Sequence, residues 1–472
     1  MTGVTQGPTM VQGLAAFAVA CRQDGIPAAV ERSVRQRIAD TLGVSIAAQD
    51  LDTSRAAVAH ILEQGGREEA RVIGQDVRVP AAQAAFANGV LAHSLDYDDT
   101  HLPSVLHPSA SIVPAALAVA EKTGCDGSVL AGGIAAGLEI CVRLGMAGFD
   151  PVARNSVFFE FGQHATSICG AIGAAAAAAV ILDLDESGVA HAMGIAVSFA
   201  GGVIEGNRTG GTVKRTHCGW AAHGGVTAAQ LAARGFTGPP TALEGRFGFF
   251  EAFLKGRYDG SWLTDGLGQD WEVPGIFFKP YPANHFTHAG VDAAITMRKA
   301  GLRTEDIESV ELGIASHTVR SIGEPLAVKQ RPATGYQGQF SGPYTVVAAL
   351  LGGGGLGLGL EDFDDALVTD PVRQELMAKV TVVADPICDE IFPYQFPAIL
   401  RVRTKDGSLL EEQVLTSRGG PKRPLSDDEL RQKMEDNSRP FVTPAGLGRL
   451  RRILTGPEAI DDSVALMEAT VR

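Results

Sequence analysis

Roughly the first 250 residues carry the hydrophobic spacing of helices. Val30, Val34, Ile38 and Leu42 recur every four residues with charged positions between them, which predicts an amphipathic helix. Alanine-rich segments of similar character follow at 81–92, 109–122, 128–144, 165–182 and 187–200. No clear alternation of apolar and polar positions interrupts these segments, and glycine-rich turns separate them. This part of the chain is therefore predicted to be helical throughout.

The pattern changes after about residue 272. Val310, Leu312 and Ile314 alternate with polar or small residues, which is the period of a β-strand. Residues 398–416 have the pattern of a β-hairpin with Asp406-Gly407 in its turn. Helical segments near 287–300, 341–351 and 370–378 lie between these strands. The region is predicted to be an α+β domain.

Helical sequence then returns. Ser426 to Glu429 form a capping box, and Leu425 with Leu430 fits a hydrophobic staple. The prediction is a mainly α protein, in which a large all-α domain (1–272, resumed at 425–472) contains an inserted, smaller α+β lid domain (273–424). Functional sites often lie in the cleft between such domains.

Composition narrows the class of partner. The chain has 472 residues and a formal net charge of −14. A surface that binds nucleic acid needs a basic excess, so nucleic acid is not expected as a partner. A few local lysines and arginines are enough to bind a small anionic substrate.

The cysteines and the N-terminus indicate a reducing compartment. None of the six cysteines forms a CxxC pair or has zinc-ligand spacing with histidine. The N-terminus lacks the basic start of a signal peptide. The longest uncharged run, residues 165–182, consists mostly of alanine and glycine and is interpreted as a buried helix. We expect a cytoplasmic protein that does not bind a membrane.

The segment from His93 to His107 concentrates the candidate chemistry. It holds three histidines, three aspartates and Thr100, with apolar, helix-like sequence on both sides. Burying such groups without partners is costly, and an acid–base centre is the simplest reason to gather them. The alternative is a solvated loop between helices. The interleaved Tyr97, Leu102 and Leu106 favour a buried segment.

Two further places suggest an anion site. His164 directly precedes an alanine-rich helix, where free backbone N–H groups favour an anion, although a lone histidine there is often only a cap. Arg208, Lys214, Arg215 and His217 form a basic cluster flanked by glycines, which lets Lys and Arg reach a carboxylate. The alternative for this cluster is an exposed basic loop.

Two more places lie in the α+β region. In FFKPYPANHFTH, residues 277–288, two prolines stiffen the chain around Lys279, which could close onto a bound anion. His285 and His288 are three residues apart, but no HExxH pattern supports a metal site there. Tyr344, in QFSGPY, could donate to a carboxylate or could be a packed aromatic residue. The GxGxxG match at 352–357 follows helix-like sequence and does not indicate a dinucleotide cofactor.

The motifs, taken in order, resemble those of the MmgE/PrpD family. They are HSLDYDDTHLPSVLHPS, GQHATSICGAIGAAAAAA, TVKRTHCGWAAHGG, KPYPANHFTHAG and QFSGPYTVVAALL, and the resemblance extends from about residue 10 to 470. It implies an all-α domain with an inserted α+β lid, a homodimer, and no metal or organic cofactor. It also implies a small di- or tricarboxylate substrate, from which a proton next to a carboxylate is removed or to which one is added.

The resemblance also implies a set of site residues, which match the family motifs at Asp96, Thr100, His107, His164, Lys214, Lys279 and Tyr344. His107 and His164 are expected to perform the acid–base work, with Asp96 orienting or tuning a histidine. Lys214 and Lys279, with His285 and Arg208, are expected to bind substrate carboxylates. Thr100 and Tyr344 are expected to add hydrogen bonds.

The favoured reaction is dehydration of a hydroxy acid resembling citrate or 2-methylcitrate, which makes the protein a carbon–oxygen lyase. Decarboxylation of cis-aconitate and epimerisation of an imino-dicarboxylate are the alternatives. The spacing from Thr100 to His107 is one residue longer than in the decarboxylase motif, which counts against decarboxylation. An inactive paralogue that only binds a carboxylate is the alternative of another class.

Overall fold

The computed structural model describes residues 7–206 and 211–472, and these form two compact units. Unit 1 comprises the described residues of Met1–Ser94, Asp98–Ile276 and Met434–Arg472. Unit 2 comprises Leu95–Tyr97 and Phe277–Lys433. Of all residues, 56% are helical and 9% lie in strands, so the predicted class, mainly α with a smaller sheet-containing domain, is confirmed.

The α-helices, in chain order, are α1 (Met10–Gln23), α2 (Ala28–Ala47), α3 (Asp52–Gln64), α4 (Ala81–His93), α5 (Ser109–Thr123), α6 (Gly127–Ala147), α7 (Val157–Glu160), α8 (Ala165–Ile181), α9 (Glu186–Phe199), α10 (Lys214–Ala232), α11 (Phe249–Leu254), α12 (His288–Lys299), α13 (Ser316–Ile322), α14 (Leu326–Lys329), α15 (Gly335–Gly338), α16 (Gly342–Leu351), α17 (Asp365–Val368), α18 (Pro371–Met377), α19 (Pro386–Ile391), α20 (Asp427–Ser438), α21 (Pro444–Arg452) and α22 (Ser463–Glu468). Short 3-10 helices occur at Gly260–Leu263, Val273–Gly275, His285–Thr287, Thr304–Asp306, Leu360–Phe363 and Pro457–Ile460.

The core of unit 1 is built around α8. Every residue of α8 is buried, and the helix packs against α5, α6, α9 and α10. The α6–α8 contact depends on two glycines: a Cβ on Gly137 would lie 2.6 Å from the carbonyl oxygen of Gly173, and a Cβ on Gly173 would lie 2.5 Å from that of Gly137. Backbones approach this closely only where side chains are absent. The alanine and glycine content of these helices therefore sets their spacing.

Unit 1 also contains strands that the sequence pattern did not predict. Strands β1 (Ala70–Arg71) and β2 (Arg78–Val79) pair antiparallel, and so do β3 (Phe149–Asp150) and β4 (Asn155–Ser156). The expectation that nothing but helix and turn occupies this region was wrong in this detail. Two residues are too few to show the alternation on which a strand prediction depends.

Unit 2 contains a four-stranded sheet of β5 (Ile307–Ile314), β6 (Val380–Ala384), β7 (Ala398–Thr404) and β8 (Leu409–Val414) in the order β6-β5-β7-β8. Strand β5 runs parallel to β6 and antiparallel to β7. The predicted hairpin of β7 and β8 is confirmed, and Gly407 takes the left-handed conformation in its turn, with φ +88°. Helices α12 and α16 pack against the sheet and against each other, and they bury Leu312, Val346 and Leu400 in one core.

The predicted capping box at the start of α20 is present. The backbone N–H of Glu429 donates to the Ser426 hydroxyl at 3.2 Å, and the backbone N–H of Ser426 donates to the Glu429 carboxylate at 2.8 Å. Leu425 and Leu430, expected to form the hydrophobic staple, are both buried. Helix α20 therefore begins where the sequence pattern indicates.

The unit boundaries follow Ile276 and Lys433, where the sequence pattern suggested residues 272 and 424. Leu95–Tyr97, expected in the helical domain, cluster with unit 2 instead. Hydrogen bonds explain this assignment, because the three successive carbonyl oxygens of Leu95–Tyr97 accept from the side chains of Gln339, Lys279 and Lys433. Such contacts leave no periodic trace in the sequence.

Among the described residues, one helix, Gly127–Ala147, has the length and hydropathy of a membrane span. In this structure 94% of its apolar window is buried inside the protein, as in a core helix. The run at 165–182 forms the buried helix α8, which is shorter.

The glycine contact between α6 and α8 gives a stability prediction. We expect Gly137→Ala to lower the free energy of unfolding by about 1–3 kcal/mol, because the new methyl group forces the two helices apart. Gly448→Ala in α21, where a Cβ meets no atom within 4 Å, is the matched control and should be neutral or stabilising by up to about 1 kcal/mol. Urea unfolding followed by circular dichroism measures both. Equal stabilities for the two variants would contradict the close contact.

Candidate active site

The segment from His93 to His107 is buried, not solvated. Every residue from 91 to 102 is buried, and an antiparallel bridge between His101 and Leu106 closes the loop. Asp96 and Val105 take the left-handed conformation, both with φ +52°, and this lets the chain turn twice between α4 and α5. The expectation of a buried cluster of ionisable groups is met, and each group needs a partner.

Arg37 and Asp99 form the ion pair that anchors this segment within unit 1. Arg37 Nη1 lies 2.8 Å from Asp99 Oδ2, and both side chains are almost completely buried. Arg37 Nη2 also donates to the carbonyl oxygens of Ile276, at 2.7 Å, and Val273, at 3.2 Å. Asp99 accepts from the backbone N–H and the hydroxyl of Ser109. Burial raises the pKa of Asp99, while Arg37 and Ser109 oppose that shift.

His107 is held by the backbone of this anchored segment. Its Nδ1 lies 2.8 Å from the carbonyl oxygen of Asp99 and 3.3 Å from the hydroxyl of Thr100. A carbonyl oxygen can only accept, so Nδ1 carries the proton and donates it. Neutral His107 therefore has a bare Nε2 that can accept a proton, and protonated His107 has an Nε2–H that can donate one.

His93 pairs with Asp98. The His93 Nδ1 lies 2.7 Å from Asp98 Oδ2, and the same carboxylate oxygen lies 3.9 Å from His107 Nδ1. Burial lowers the pKa of His93, but the neighbouring Cys218 and Asp98 raise it, and the net value is about 9. His93 is therefore positively charged at neutral pH, beside two other histidines.

His164 and His217 come together from the starts of two helices. His164 directly precedes α8 without capping it, and His217 lies in the first turn of α10. Their Nδ1 atoms are 2.9 Å apart. Burial, His93 and Lys214 lower the pKa of His217 to about 4, and the same causes hold the pKa of His164 well below its usual range. Both rings are neutral at neutral pH.

We call His93, His107, His164 and His217 the histidine array. The ring centroid of His93 lies 5.3 Å from that of His107 and 5.7 Å from that of His164. The ring centroids of His164 and His217 are 4.8 Å apart. Lys214, the first residue of α10, acts electrostatically on His164 and His217. The array combines a charged imidazolium, neutral imidazoles and a nearby ammonium group, and such a set can move a proton at an anionic ligand.

Unit 2 holds a second group of charged residues. The buried Lys279 Nζ lies 2.7 Å from the carbonyl oxygen of Asp96 and 3.4 Å from its carboxylate. Lys433 Nζ donates to the carbonyl oxygen of Tyr97 at 3.1 Å and lies 3.9 Å from the centre of the Tyr97 ring. Burial, Lys279 and Lys433 lower the pKa of His288, which is about 3, while Asp96 opposes that shift. Two cations and one carboxylate therefore share this buried region.

The remaining candidates in unit 2 have other neighbours. The His285 ring packs against Phe277, Phe396 and His288. The Tyr344 hydroxyl donates to the carbonyl oxygen of Asp362, and burial raises the pKa of Tyr344 to about 12. Among the described residues, no group of three or more His, Cys, Asp or Glu side chains is placed to hold a metal ion.

In its described residues the basic cluster is helical, so the alternative interpretation as an exposed basic loop does not hold there. Lys214, Arg215 and His217 lie in α10, and Arg215 Nη1 donates to the Thr53 hydroxyl at 2.8 Å. Arg208 lies outside the described residues. Lys214 and His217 therefore lie in the same turn of α10.

Sequence reasoning missed four members of these groups. The role of Asp96 in tuning a histidine stays a prediction, and in unit 1 Asp98 contacts His93 and His107. His93 and Asp98 belong to the first motif but received no role. They are five positions apart with a turn between them, so their spacing does not predict that the two side chains meet. Arg37 and Lys433 gave no signal, because charged positions in an amphipathic helix are ordinarily solvated.

Comparisons with known proteins agree on one family. Residues 12–260 match the family model of the MmgE/PrpD N-terminal domain, and residues 281–453 match that of the MmgE/PrpD C-terminal domain. The human protein named cis-aconitate decarboxylase is 31% identical over 458 residues, which cover 93% of this chain and 89% of the human one. The mouse protein of the same name is 30% identical, over 94% of this chain and 88% of the mouse one. The 2-methylcitrate dehydratase of Cupriavidus necator is 26% identical, over 75% of this chain and 74% of that protein.

The neutral histidines predict acid sensitivity of unit 1. The pKa values of His164 and His217 are lower in the folded state than the ordinary 6.5, so the unfolded state binds more protons below that pH. We expect the free energy of unfolding to fall below pH 6.5 by up to about 3 kcal/mol per pH unit for the two rings together. His93 opposes this slope slightly near pH 6.5, because its pKa is raised from 6.5 to about 9 in the folded state, which therefore binds more protons there than the unfolded state.

Tryptophan fluorescence measures this effect, because Trp220, Trp262 and Trp271 all lie in unit 1. Urea unfolding between pH 7 and pH 5 should give the slope. The variant His217→Asn keeps a hydrogen-bonding group but cannot titrate, so it should lose about half of the slope. A stability that is flat over this range would contradict the neutral state of these rings.

Proposed function

The chain belongs to the MmgE/PrpD family, and on that premise we propose that it is a cofactor-independent lyase for small di- or tricarboxylates. It would act by moving a proton at a carbon next to a carboxylate. The observation that carries this proposal is His107, whose Nδ1 is fixed by the carbonyl oxygen of Asp99, so that the neutral ring has a bare Nε2. A buried histidine with a fixed tautomer is the property a general acid–base residue needs.

The difficulty in this chemistry is electrostatic. A proton next to a carboxylate is very weakly acidic, because its removal adds negative charge to an anion. Positive charge fixed in advance stabilises that charge without reorganisation. Lys214 and the imidazolium of His93 supply such charge beside the neutral His164.

In the proposed roles, His107 and His164 exchange protons with the substrate, Lys214 binds a carboxylate, and Thr100 fixes His107 from the side of its Nδ1. Asp98 balances the charge of His93. The binding roles expected for Lys279, His285, Tyr344 and Arg208, and the role of Asp96 in orienting or tuning a histidine, stay predictions.

Decarboxylation of an acid like cis-aconitate is the first reaction to test. The relatives with that name share 31% and 30% identity with more than nine tenths of this chain. In that reaction a carbon–carbon bond breaks, carbon dioxide leaves with neither of the bonding electrons, and a histidine donates a proton to the carbanion. The histidine would donate this proton as an imidazolium, and the nearby ammonium group would stabilise the negative charge of the carbanion.

Dehydration of a hydroxy acid like 2-methylcitrate, the reaction favoured from the sequence, is the second candidate. The Cupriavidus necator relative supports it at 26% identity over 75% of this chain. Here a base removes the proton next to the carboxylate, and an acid protonates the leaving hydroxyl. Epimerisation of an imino-dicarboxylate would use the same base without a leaving group. An inactive, carboxylate-binding paralogue would exchange no protons at all.

We also propose a homodimer in the cytoplasm, following the resemblance and the six unpaired cysteines. Light scattering coupled to size-exclusion chromatography tests the dimer, for which a mass of twice 49.3 kDa is expected. Fluorescence microscopy of a tagged chain tests the location.

Proton exchange tests the proposed function. Proton NMR in D₂O with cis-aconitate, citrate, 2-methylcitrate and iminodisuccinate should show deuterium entering a carbon next to a carboxylate, and the product identifies the reaction. His107→Asn retains an N–H donor to the Asp99 carbonyl but has no Nε2, so we expect kcat to fall by about 10²–10⁴-fold. Lys214→Ala is also expected to abolish turnover.

The matched control is His60→Gln, which changes an exposed histidine in α3 and should leave turnover unchanged. Circular dichroism checks that each variant is folded. Near-wild-type kinetics for both His107→Asn and Lys214→Ala would sink the assignment of the site. No exchange with any of the four acids would count against the enzyme class itself.

A further inference from the structure

The contact between His164 and His217 joins two atoms of the same kind. Both are Nδ1 atoms, 2.9 Å apart, with both rings buried. A ring nitrogen either carries a proton and donates or lacks one and accepts. A hydrogen bond at this distance therefore needs one protonated Nδ1 and one bare Nδ1.

Because both rings are neutral, only two arrangements of the proton between the two Nδ1 atoms are possible. The groups that act on the pair are the cations His93 and Lys214 and, for His164, also His107, and burial adds to their effect. Asp98, the carboxylate of the array, is engaged by His93 at 2.7 Å. Each neutral ring has one proton for its two nitrogens, so the proton at the contact decides the state of both Nε2 atoms.

The two arrangements give His164 opposite chemistry. When His164 Nδ1 donates to His217, His164 Nε2 is bare and can take a proton from a substrate. When His217 Nδ1 donates, His164 Nε2 carries a proton, so it can donate a hydrogen bond to a substrate oxygen but cannot take up a proton. The distinction depends on the tautomer and needs no change in net charge.

We infer that His217 is a positioning residue that sets the tautomer of His164, and thereby decides whether Nε2 of His164 is bare and acts as a base or carries a proton and acts as a hydrogen-bond donor. The catalytic part of this inference rests on the proposed function. The tautomer part concerns the resting protein alone. Sequence reasoning had placed His217 only in a basic cluster for carboxylate binding.

The contact also provides a path for resetting His164. A proton taken up at His164 Nε2 makes that ring an imidazolium. Transfer of its Nδ1 proton to His217 Nδ1 then leaves His164 neutral, with a proton on Nε2, and moves the positive charge to His217. The proton count is conserved, and His164 can return its Nε2 proton to a substrate when the His217 imidazolium gives its proton back to His164 Nδ1, which leaves both rings neutral again.

Nitrogen NMR on histidine-labelled protein without substrate tests the tautomer. A His164→Gln variant identifies the His164 signals by their loss. In the wild type between pH 6 and pH 9, we expect one protonated Nδ1 and one bare Nδ1 in the pair. Two bare Nδ1 atoms or two protonated Nδ1 atoms in the wild type would overturn the inference.

Two variants of His217 test the positioning. His217→Leu removes the partner, so the His164 nitrogen shifts should change. His217→Asn places an amide, able to donate or accept, at the position of Nδ1 and should restore them. Unchanged His164 shifts in folded His217→Leu would overturn the inference.

Kinetic measurements with a carboxylic acid that the protein converts complete the test. For His217→Leu we expect kcat to fall by about 10²-fold with little change in KM, since general acid–base catalysis contributes about 10²–10⁴-fold. His217→Asn should recover to within about tenfold of the wild type. If a lost carboxylate ligand were responsible instead, KM would rise and asparagine would not rescue. If no acid is turned over, the proposed function fails, and the NMR result still decides the tautomer.

Discussion

The buried pair of Arg37 and Asp99 is the interaction on which unit 1 of this protein depends most. Arg37 comes from α2 and Asp99 from the turn after α4. The guanidinium group of Arg37 also donates hydrogen bonds to the carbonyl oxygens of Val273 and Ile276. One side chain thus ties three distant stretches of chain. Removing one partner of such a pair leaves an unpaired buried charge, which typically costs about 3–5 kcal/mol. The carbonyl oxygen of the same Asp99 orients His107, so the anchor of the loop also positions the proposed catalytic group.

Close helix packing positions other histidines of the array, among them His93 and His217. Helices α4 and α10 approach at Gly89 and Gly219, where a Cβ on Gly89 would lie 2.8 Å from the Gly219 Cα. Gly219 is two residues from His217, and His93 ends α4. The small residues that allow this approach therefore bring the imidazoles of two helices within one array. Larger residues would separate the groups and leave buried histidines without partners, at a cost in stability as well as in chemistry.

Sequence predicted the elements better than the contacts. The helices at 81–93 and 165–181 and the hairpin of β7 and β8 follow from periodicity and turn residues, which are local properties. The first motif also predicted a buried ionisable cluster, because so many charged groups among apolar residues are unlikely in a solvated loop. The pairing within the cluster could not be predicted. It depends on the left-handed conformation of Asp96 and on Arg37, which precedes Asp99 by sixty-two positions in the chain.

The charge balance of the array constrains how it can work. Cys218, together with Asp98 at 2.7 Å, raises the pKa of His93 to about 9 against the effect of burial. The positive charge of His93, with that of Lys214, disfavours a second imidazolium at His164 or His217. An anion bound near Lys214 would offset the same cations and raise the pKa of both neutral rings. On the proposed function, the base would then gain strength only when a carboxylate is present. A site that holds its cation in a paired histidine, and leaves its bases neutral, keeps them available for the substrate proton and avoids the cost of burying further charge.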